Sequence, residues 1–503
     1  MLLFLLTLLP SWQSPTTTVL RSMKRIAERR ALAWTVVIVP AIVAMFCVAW
    51  VSDAATAPQE PLLSPSLAAL HKDMQTGNRA VLETFWQEVA KRGTPLIESI
   101  QDKSNYRYVT FLWRGKEGTK DVFVNTLDQN NQLADARFFI QGRMALLPDS
   151  DVWYKTYRLR DDARFSYRIS PNDALTLLPD VKPDDQASRL ATLQADPLNP
   201  RHYQSRNGDA SIAELPNAHP QPWINPLPGV PKGSVVETQI KSTILNNERP
   251  VWVYTPPGYK SNGRPYHLLV TFDGGTYTAK TDSESVPAPV ILDNLLAKGL
   301  LPPVVAVMVG NAPGARLKEL WYHEPFLEFI AKELIPWARQ NYRVTSDPKK
   351  TVIAGLSLGG GASLFAGFRH PEIFGNVIAQ SGGHMYPQTR EEMFPPLKPG
   401  QLFYDENFPE PEWLTRQIAA KPKAPVRVYL EAGLLEDLQW QTTPPRFAYP
   451  SLILATRHLR DVLQAKGYEV FYNEYNGGHE ALSWRGTLAD ALIKLLGNAK
   501  AHR

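Results

Sequence analysis

The chain contains a single cysteine, Cys47, and it lies inside an apolar run near the N-terminus. Everything after it therefore has no disulfide to staple it and no thiol nucleophile, so it has to stand on its own hydrophobic core. There is no tract of clustered lysines and arginines of the kind that follows a phosphate backbone. Nucleic acid is therefore not an expected partner. The formal charge of +5 over 503 residues is partly local. Arg21, Lys24, Arg25, Arg29 and Arg30 against Glu28 and Asp53 leave a net +3 within residues 1–57. No His-Glu-x-x-His spacing occurs, so a metalloprotease-type zinc site is excluded and no metal site is expected. No repeat of solenoid period is visible either.

What is present is an ordinary globular composition, 44% hydrophobic and 20% charged, with 43 prolines that point to long loops and linkers. The length suggests two domains behind a targeting segment. Met23-Lys24-Arg25-Ile26-Ala27-Glu28-Arg29-Arg30 is a basic stretch, Ala31 to Val51 is apolar, and Ala55-Thr56-Ala57 is a small-residue cleavage pattern. Residues 1–57 therefore read as an export signal, with translation starting naturally at Met23. The alternative is an uncleaved anchor, since the apolar run is long enough to span a bilayer. Either way the positive charge places the bulk of the chain outside the cytoplasmic membrane, in the periplasm. Phe46 before Cys47 is too bulky for a lipoprotein cleavage site.

Residues 58–228 read as a first domain. After a short linker, apolar spacing predicts one helix from Leu67 to Arg92. Strands are expected at Tyr106–Trp113, Asp121–Leu127, Ala136–Gln141, Val152–Leu159 and Phe165–Ile169, a small β-sandwich. Residues 170–233 are rich in turn signals and read as loop. Residues 229–503 form the second domain, where strands alternate with helices. The strands expected are Val235–Leu245, Arg249–Thr255, His267–Phe272, Val304–Val309, Thr351–Ala354, Asn376–Gln380, Arg427–Glu431 and Glu469–Glu474. Helices are expected at about 287–299, 325–341, 359–369, 411–420 and 451–466. Continuous apolar runs such as Val304-Val305-Ala306-Val307 imply a mainly parallel sheet covered on both faces.

Within that domain Val352-Ile353-Ala354 runs into Gly355-Leu356-Ser357-Leu358-Gly359 and then into a helical pattern. A nucleophilic serine at a strand-to-helix elbow needs small residues two before and two after it. The helix start then aims free N–H groups at a developing oxyanion. A serine hydroxyl needs an adjacent base, and in this fold the order is Ser, acid, His. His479, after Gly477-Gly478 and the last strand, is the histidine whose place fits; the glycines give its loop room. The acid belongs after Arg427–Glu431, where Glu436 is the first choice, Asp437 the alternative and Glu431 the least suited. Backbone N–H groups of Leu358 and of Gly275 or Gly274 are the expected oxyanion donors.

Gly477-Gly478-His479-Glu480-Ala481-Leu482-Ser483-Trp484-Arg485-Gly486 closely resembles the C-terminal histidine motif of enterochelin (enterobactin) esterases. Gly355–Gly360, Phe272-Asp273-Gly274, Arg316-Leu317-Lys318-Glu319-Leu320 and Glu431–Glu436 resemble that family's other signatures. Val109–Arg114 and Ala195-Asp196-Pro197-Leu198-Asn199-Pro200 are similar to its accessory domain. The resemblance covers about residues 67–500. It implies an α/β-hydrolase fold with an N-terminal β-sandwich, and a serine esterase that opens the triserine-lactone esters of a catecholate siderophore. That siderophore would be enterobactin or a glucosylated relative, free or iron-loaded, so iron belongs to the substrate and no cofactor is implied. Arg316, Trp484 and Arg485 are expected to meet this anionic, aromatic substrate. The alternative is an exported esterase or acyltransferase of the same fold acting on another ester, such as a feruloyl or acyl-sugar ester.

Overall fold

The computed structural model describes residues 61–101, 105–126, 142–173, 191–205, 208–278, 285–389, 411–437 and 451–497. The expected export signal, residues 1–57, and the expected strand Ala136–Gln141 lie outside them. Ser64 starts the first helix, Pro65–Gln75, by accepting from the Leu67 N–H, and Pro65 stands where its missing N–H leaves nothing unpaired. The helix expected to run unbroken to Arg92 stops here. Gly77 has φ +85° and a second helix spans Ala80–Arg92. Apolar spacing hid the break because Leu67, Leu70, Phe85, Trp86 and Val89 all enter one cluster.

Eight strands follow: β1 (Leu96–Ser99), β2 (Tyr106–Arg114), β3 (Val122–Thr126), β4 (Ala145–Leu146), β5 (Val152–Arg160), β6 (Arg164–Pro171), β7 (His202–Ser205) and β8 (Gly208–Glu214). They form two antiparallel sheets, ordered β1-β2-β5-β4 and β3-β6-β8-β7. Their inward faces meet in a core that includes Val109, Phe111, Val124, Phe165 and Tyr167, with the Phe111 and Tyr167 rings edge to face at 4.6 Å. β7 and β8 fall where the sequence reads as loop. β7 has only four residues and β8 opens on Gly208-Asp209; β8 pairs with β6, and β7 with β8, pairings that their own composition does not signal.

The second part is one eight-stranded sheet made of β9 (Ser234–Ser242), β10 (Asn247–Thr255), β11 (His267–Thr271), β12 (Val304–Val309), β13 (Thr351–Leu356), β14 (Asn376–Gln380), β15 (Arg427–Gly433) and β16 (Glu469–Tyr475). The order is β16-β15-β14-β13-β11-β12-β10-β9, parallel from β12 to β16 with β10 and β9 antiparallel at one edge. All eight expected strands are present. The apolar runs are buried from end to end, as in Val304–Val309, because helices cover both faces. Within the expected helix 325–341, the residues Ile330–Leu334 widen into a π-turn just before Pro336, whose ring removes a donor that an α-turn would use. The last helix, Ala481–Leu496, is buried on nearly every side and so carries no polar stripe to announce it. Among the described residues no helix is long and apolar enough to cross a membrane.

Candidate active site

β13 delivers Ser357 to its carboxyl end, and the helix Leu358–Arg369 leaves immediately behind it. The turn between them is sharp. Ser357 has φ +55° and ψ −127°, and a Cβ on Gly355 would come 2.1 Å from the Gly359 carbonyl oxygen. Strain of this kind persists only where the surroundings over-determine it. Here the Ser357 N–H donates to the Gln380 carbonyl at 2.9 Å, and the Ser357 carbonyl accepts from Gly360 at 2.9 Å and Gly383 at 3.0 Å.

Ser357 Oγ lies 2.8 Å from His479 Nε2, and His479 Nδ1 lies 2.9 Å from Glu436 Oε1. Glu436 is buried, and its second oxygen accepts from the Gly433 N–H at 3.0 Å. The neighbouring Asp437 is exposed, so Glu436 is the carboxylate the structure brings to the imidazole. Glu431 is elsewhere. It is fully buried at the end of β15, where Gln380 (2.9 Å), Thr487 (2.5 Å) and Tyr429 (3.1 Å) donate to it. Burial pushes its carboxyl up to about 7 against these hydrogen bonds.

Leu358 opens its helix, so its N–H has no intrahelical partner. The loop after β11 forms the facing wall. A Cβ on Gly274 would meet the Met308 carbonyl oxygen at 2.5 Å, so Gly274 serves close packing. Gly275 is exposed and is the better placed of the two to present an N–H. Between them and β11, Asp273 has φ +53°. Its carboxylate would lie 3.2 Å from a Cβ on Gly359, which sets this loop beside the nucleophile helix. Arg316 grips that carboxylate at 2.6 and 2.8 Å, and Asn311 adds a bond at 2.6 Å. Sequence reasoning missed Asp273 and Asn311 as partners of Arg316; Phe272-Asp273-Gly274 and Arg316–Leu320 stand out as separate signatures, and nothing in their spacing pairs them. Glu319, three residues from Arg316, accepts from Arg249 at both oxygens.

This is a geometry in which a hydroxyl, a base and a buried acid line up beside two converging helix starts, which is what acyl transfer from an ester asks for. An esterase family model matches residues 242–495, and an enterochelin esterase N-terminal model matches 108–224. An iron(III) enterobactin esterase of Dickeya dadantii is 30% identical over 460 residues, 87% of this chain and 97% of that one. The chain belongs to the enterobactin esterase family. An iron(III) salmochelin esterase of Escherichia coli O6:H1 is 28% identical over 442 residues, 86% and 98% of the two chains. The solved ferric enterobactin esterase of Salmonella typhimurium superposes with a TM-score of 0.62 at 26% identity, over 81% of this chain and 98% of that one. The Shigella flexneri enterobactin esterase, crystallised in the presence of enterobactin, gives 0.60 at 26% identity, over 82% and 97%.

Two of the three side chains expected to meet a substrate in this esterase do not line an open face. Trp484 is 4% exposed, donates to Ser381 Oγ at 2.9 Å and stands edge-on to the His479 ring at 4.8 Å. It is a wall behind the imidazole. Arg485 is buried with its Nε bonded to Gln221 at 3.0 Å, and burial lowers it to about 10. Both lie on the helix Ala481–Leu496, where they are packed into the fold and not presented to solvent. Of the three, Arg316 keeps a partly open guanidinium at the site, and on the adjoining surface the rings of Trp321 and Tyr386 stack 4.5 Å apart.

Proposed function

We propose that this chain is a serine esterase that hydrolyses the ester linkages between serine units of a catecholate siderophore, and that it does so outside the cytoplasmic membrane. The observation that carries the reading is the hydrogen-bonded line Ser357–His479–Glu436 mounted on a strained elbow. Ser357 Oγ attacks the ester carbonyl while His479 Nε2 takes its proton, and Glu436 steadies the imidazolium that forms. The tetrahedral oxyanion is met by the N–H groups of Leu358 and Gly275. Collapse expels the serine hydroxyl of the leaving unit, which takes its proton from His479. Water activated by the same imidazole then releases the acyl group and restores Ser357. Arg316 and the Trp321–Tyr386 stack suit an anionic, aromatic substrate. Iron enters as part of that substrate, and the reaction calls on no protein-bound cofactor.

The basic stretch and apolar run within residues 1–57 support export, with hydrolysis in the periplasm. The test of the activity is a time course of the purified protein with enterobactin, iron-free and ferric, beside Ser357→Ala. Stepwise release of linear trimer, dimer and monomer, lost in the variant, is expected. An active, folded esterase that leaves enterobactin intact sinks the substrate assignment. For export, the N-terminal sequence of the protein recovered from the periplasm is expected to begin near Pro58.

A further inference from the structure

The loop that carries His479 is held from outside the hydrolase sheet. Glu480 stands at the N-cap of the helix Ala481–Leu496 with extended φ −151° and ψ 152°. A carboxylate at an N-cap ordinarily turns back to the first N–H groups of its helix. This one makes no capping bond. It is 2% exposed, and its two oxygens reach into the β-sandwich: Oε1 accepts from the Ser166 N–H at 3.1 Å, and Oε2 from the Tyr203 hydroxyl at 3.3 Å. Ser166 lies on β6 and Tyr203 on β7, in the sheet β3-β6-β8-β7.

The flanking residues are tied to the same domain. Asn476 donates to Asp162 at 2.7 Å and its carbonyl accepts from the Arg164 N–H at 3.0 Å. Gln221 donates to the Leu482 carbonyl at 2.7 Å. Burying a carboxylate is poor value as stabilisation, because desolvation offsets much of what its partners return. Position is the more natural use for it. One residue away, the imidazole has to stay within about half an ångström of its productive place, and a misplacement of about 1 Å can cost about 10²-fold in rate.

We propose that Glu480 is a positioning residue, and that the β-sandwich, gripping it through Ser166 and Tyr203, fixes the His479 imidazole against Ser357. The accessory domain is thereby part of the machinery of turnover although it brings no group to the reacting atoms. The inference rests on the reading of His479 as the base.

The test uses the full chain with Glu480→Ala, Glu480→Gln and Tyr203→Phe, each alone and in a His479→Ala background. Enterobactin and 4-nitrophenyl acetate are the substrates, and melting temperature is followed in parallel. Glu480→Ala is expected to lower kcat about 10- to 100-fold on both esters with KM within about twofold. Glu480→Gln keeps an acceptor for the Ser166 N–H and returns to within about fivefold of wild type, while Tyr203→Phe, losing one donor, costs about threefold in kcat. None of the three lowers the residual rate of His479→Ala, because there is no imidazole left to misplace. An equal fractional loss in that background, a raised KM with intact kcat, or an unchanged kcat overturns the proposal. If Glu480→Ala does not fold, Glu480→Gln and Tyr203→Phe decide on the same terms. Full turnover by His479→Ala overturns this inference and the proposed mechanism together. Cleavage of 4-nitrophenyl acetate without cleavage of enterobactin sinks the substrate assignment and leaves this test in force.

Discussion

Glu436 offers its two oxygens to two donors, and that arithmetic makes Glu436→Gln an informative perturbation. Oε1 faces His479 Nδ1 at 2.9 Å and Oε2 faces the Gly433 N–H at 3.0 Å. A carboxylate accepts at both ends; an amide accepts at one and donates at the other. If the glutamine keeps its oxygen toward His479, its NH2 meets the Gly433 N–H donor to donor in a buried place. If it turns round, Nδ1 has to accept, and the imidazole carries its proton on Nε2, facing Ser357 as a donor when it is needed as a base. Loss of the charge-assisted bond to the imidazolium costs about 1.5–3 kcal/mol, and the orphaned buried donor about 1–3 more. The barrier therefore rises by about 2.5–6 kcal/mol, and kcat falls about 10²- to 10⁴-fold. KM is expected to change by less than about threefold, since Glu436 is buried behind the imidazole. The assay is steady-state hydrolysis of enterobactin and of 4-nitrophenyl acetate, beside Asp437→Asn. Asp437 is exposed, and its substitution keeps kcat within about twofold. A Glu436→Gln enzyme retaining more than about a tenth of wild-type kcat refutes the reasoning, as does an equal loss in Asp437→Asn.

Two further predictions concern the fold around the site. Arg249 is fully buried, bonded to both oxygens of Glu319 at 2.7 Å and packed against the ring of Phe329 at 4.7 Å. Arg249→Met strands the Glu319 carboxylate and is expected to lower stability in urea by about 3–5 kcal/mol, most of it recovered by adding Glu319→Leu; a single variant as stable as the double contradicts this. Glu431 is a carboxylic acid whose folded value, about 7, stands above the ordinary 4.5 because of burial, so the fold favours its protonated form. Its ionisation costs nothing below the unfolded value and a growing amount as pH rises from about 4.5 to about 7, amounting to about 3 kcal/mol by pH 8. The stability of Glu431→Gln relative to wild type is therefore expected to be about 3 kcal/mol more favourable at pH 8 than at pH 4, and the same difference at both pH values in urea melts would count against it.

The parts of this molecule that could be read from sequence are those where chemistry dictates spacing or order. A strained elbow forbids a side chain at Gly355, so Ser357 announces itself. The order Ser, acid, His then singles out Glu436 and His479, although they lie 79 and 122 residues further on. The strands of the large sheet were equally plain, because burial on both faces leaves continuous apolar runs. What could not be read is whatever depends on partners from afar. Asp273 meets Arg316 across 43 residues and Glu480 meets Tyr203 across 277, and neither spacing has a local pattern. Nor does β8, whose pairing with β6 is the reason it is a strand.

Gly477 shows how a correct observation can carry the wrong cause. Two glycines before His479 suggest slack, room for a loop to swing its imidazole into place. The structure gives the opposite reason. A Cβ on Gly477 would lie 2.6 Å from Ser483 Oγ and 2.9 Å from the Arg164 carbonyl oxygen, and one on Gly433 would lie 2.3 Å from the Gly477 carbonyl. The backbone is pressed against the acid loop on one side and the β-sandwich on the other. The Leu435 N–H reaches the Gly477 carbonyl at 3.2 Å across that first contact. Acid and base are thus laced to each other, and the base to the accessory domain, by contacts too close for any side chain. A histidine loop built for freedom would leave the Glu480 carboxylate in solvent at its helix cap. One that buries that carboxylate between domains has given up freedom, and the gain expected from that is a base that already points at Ser357 before the substrate arrives.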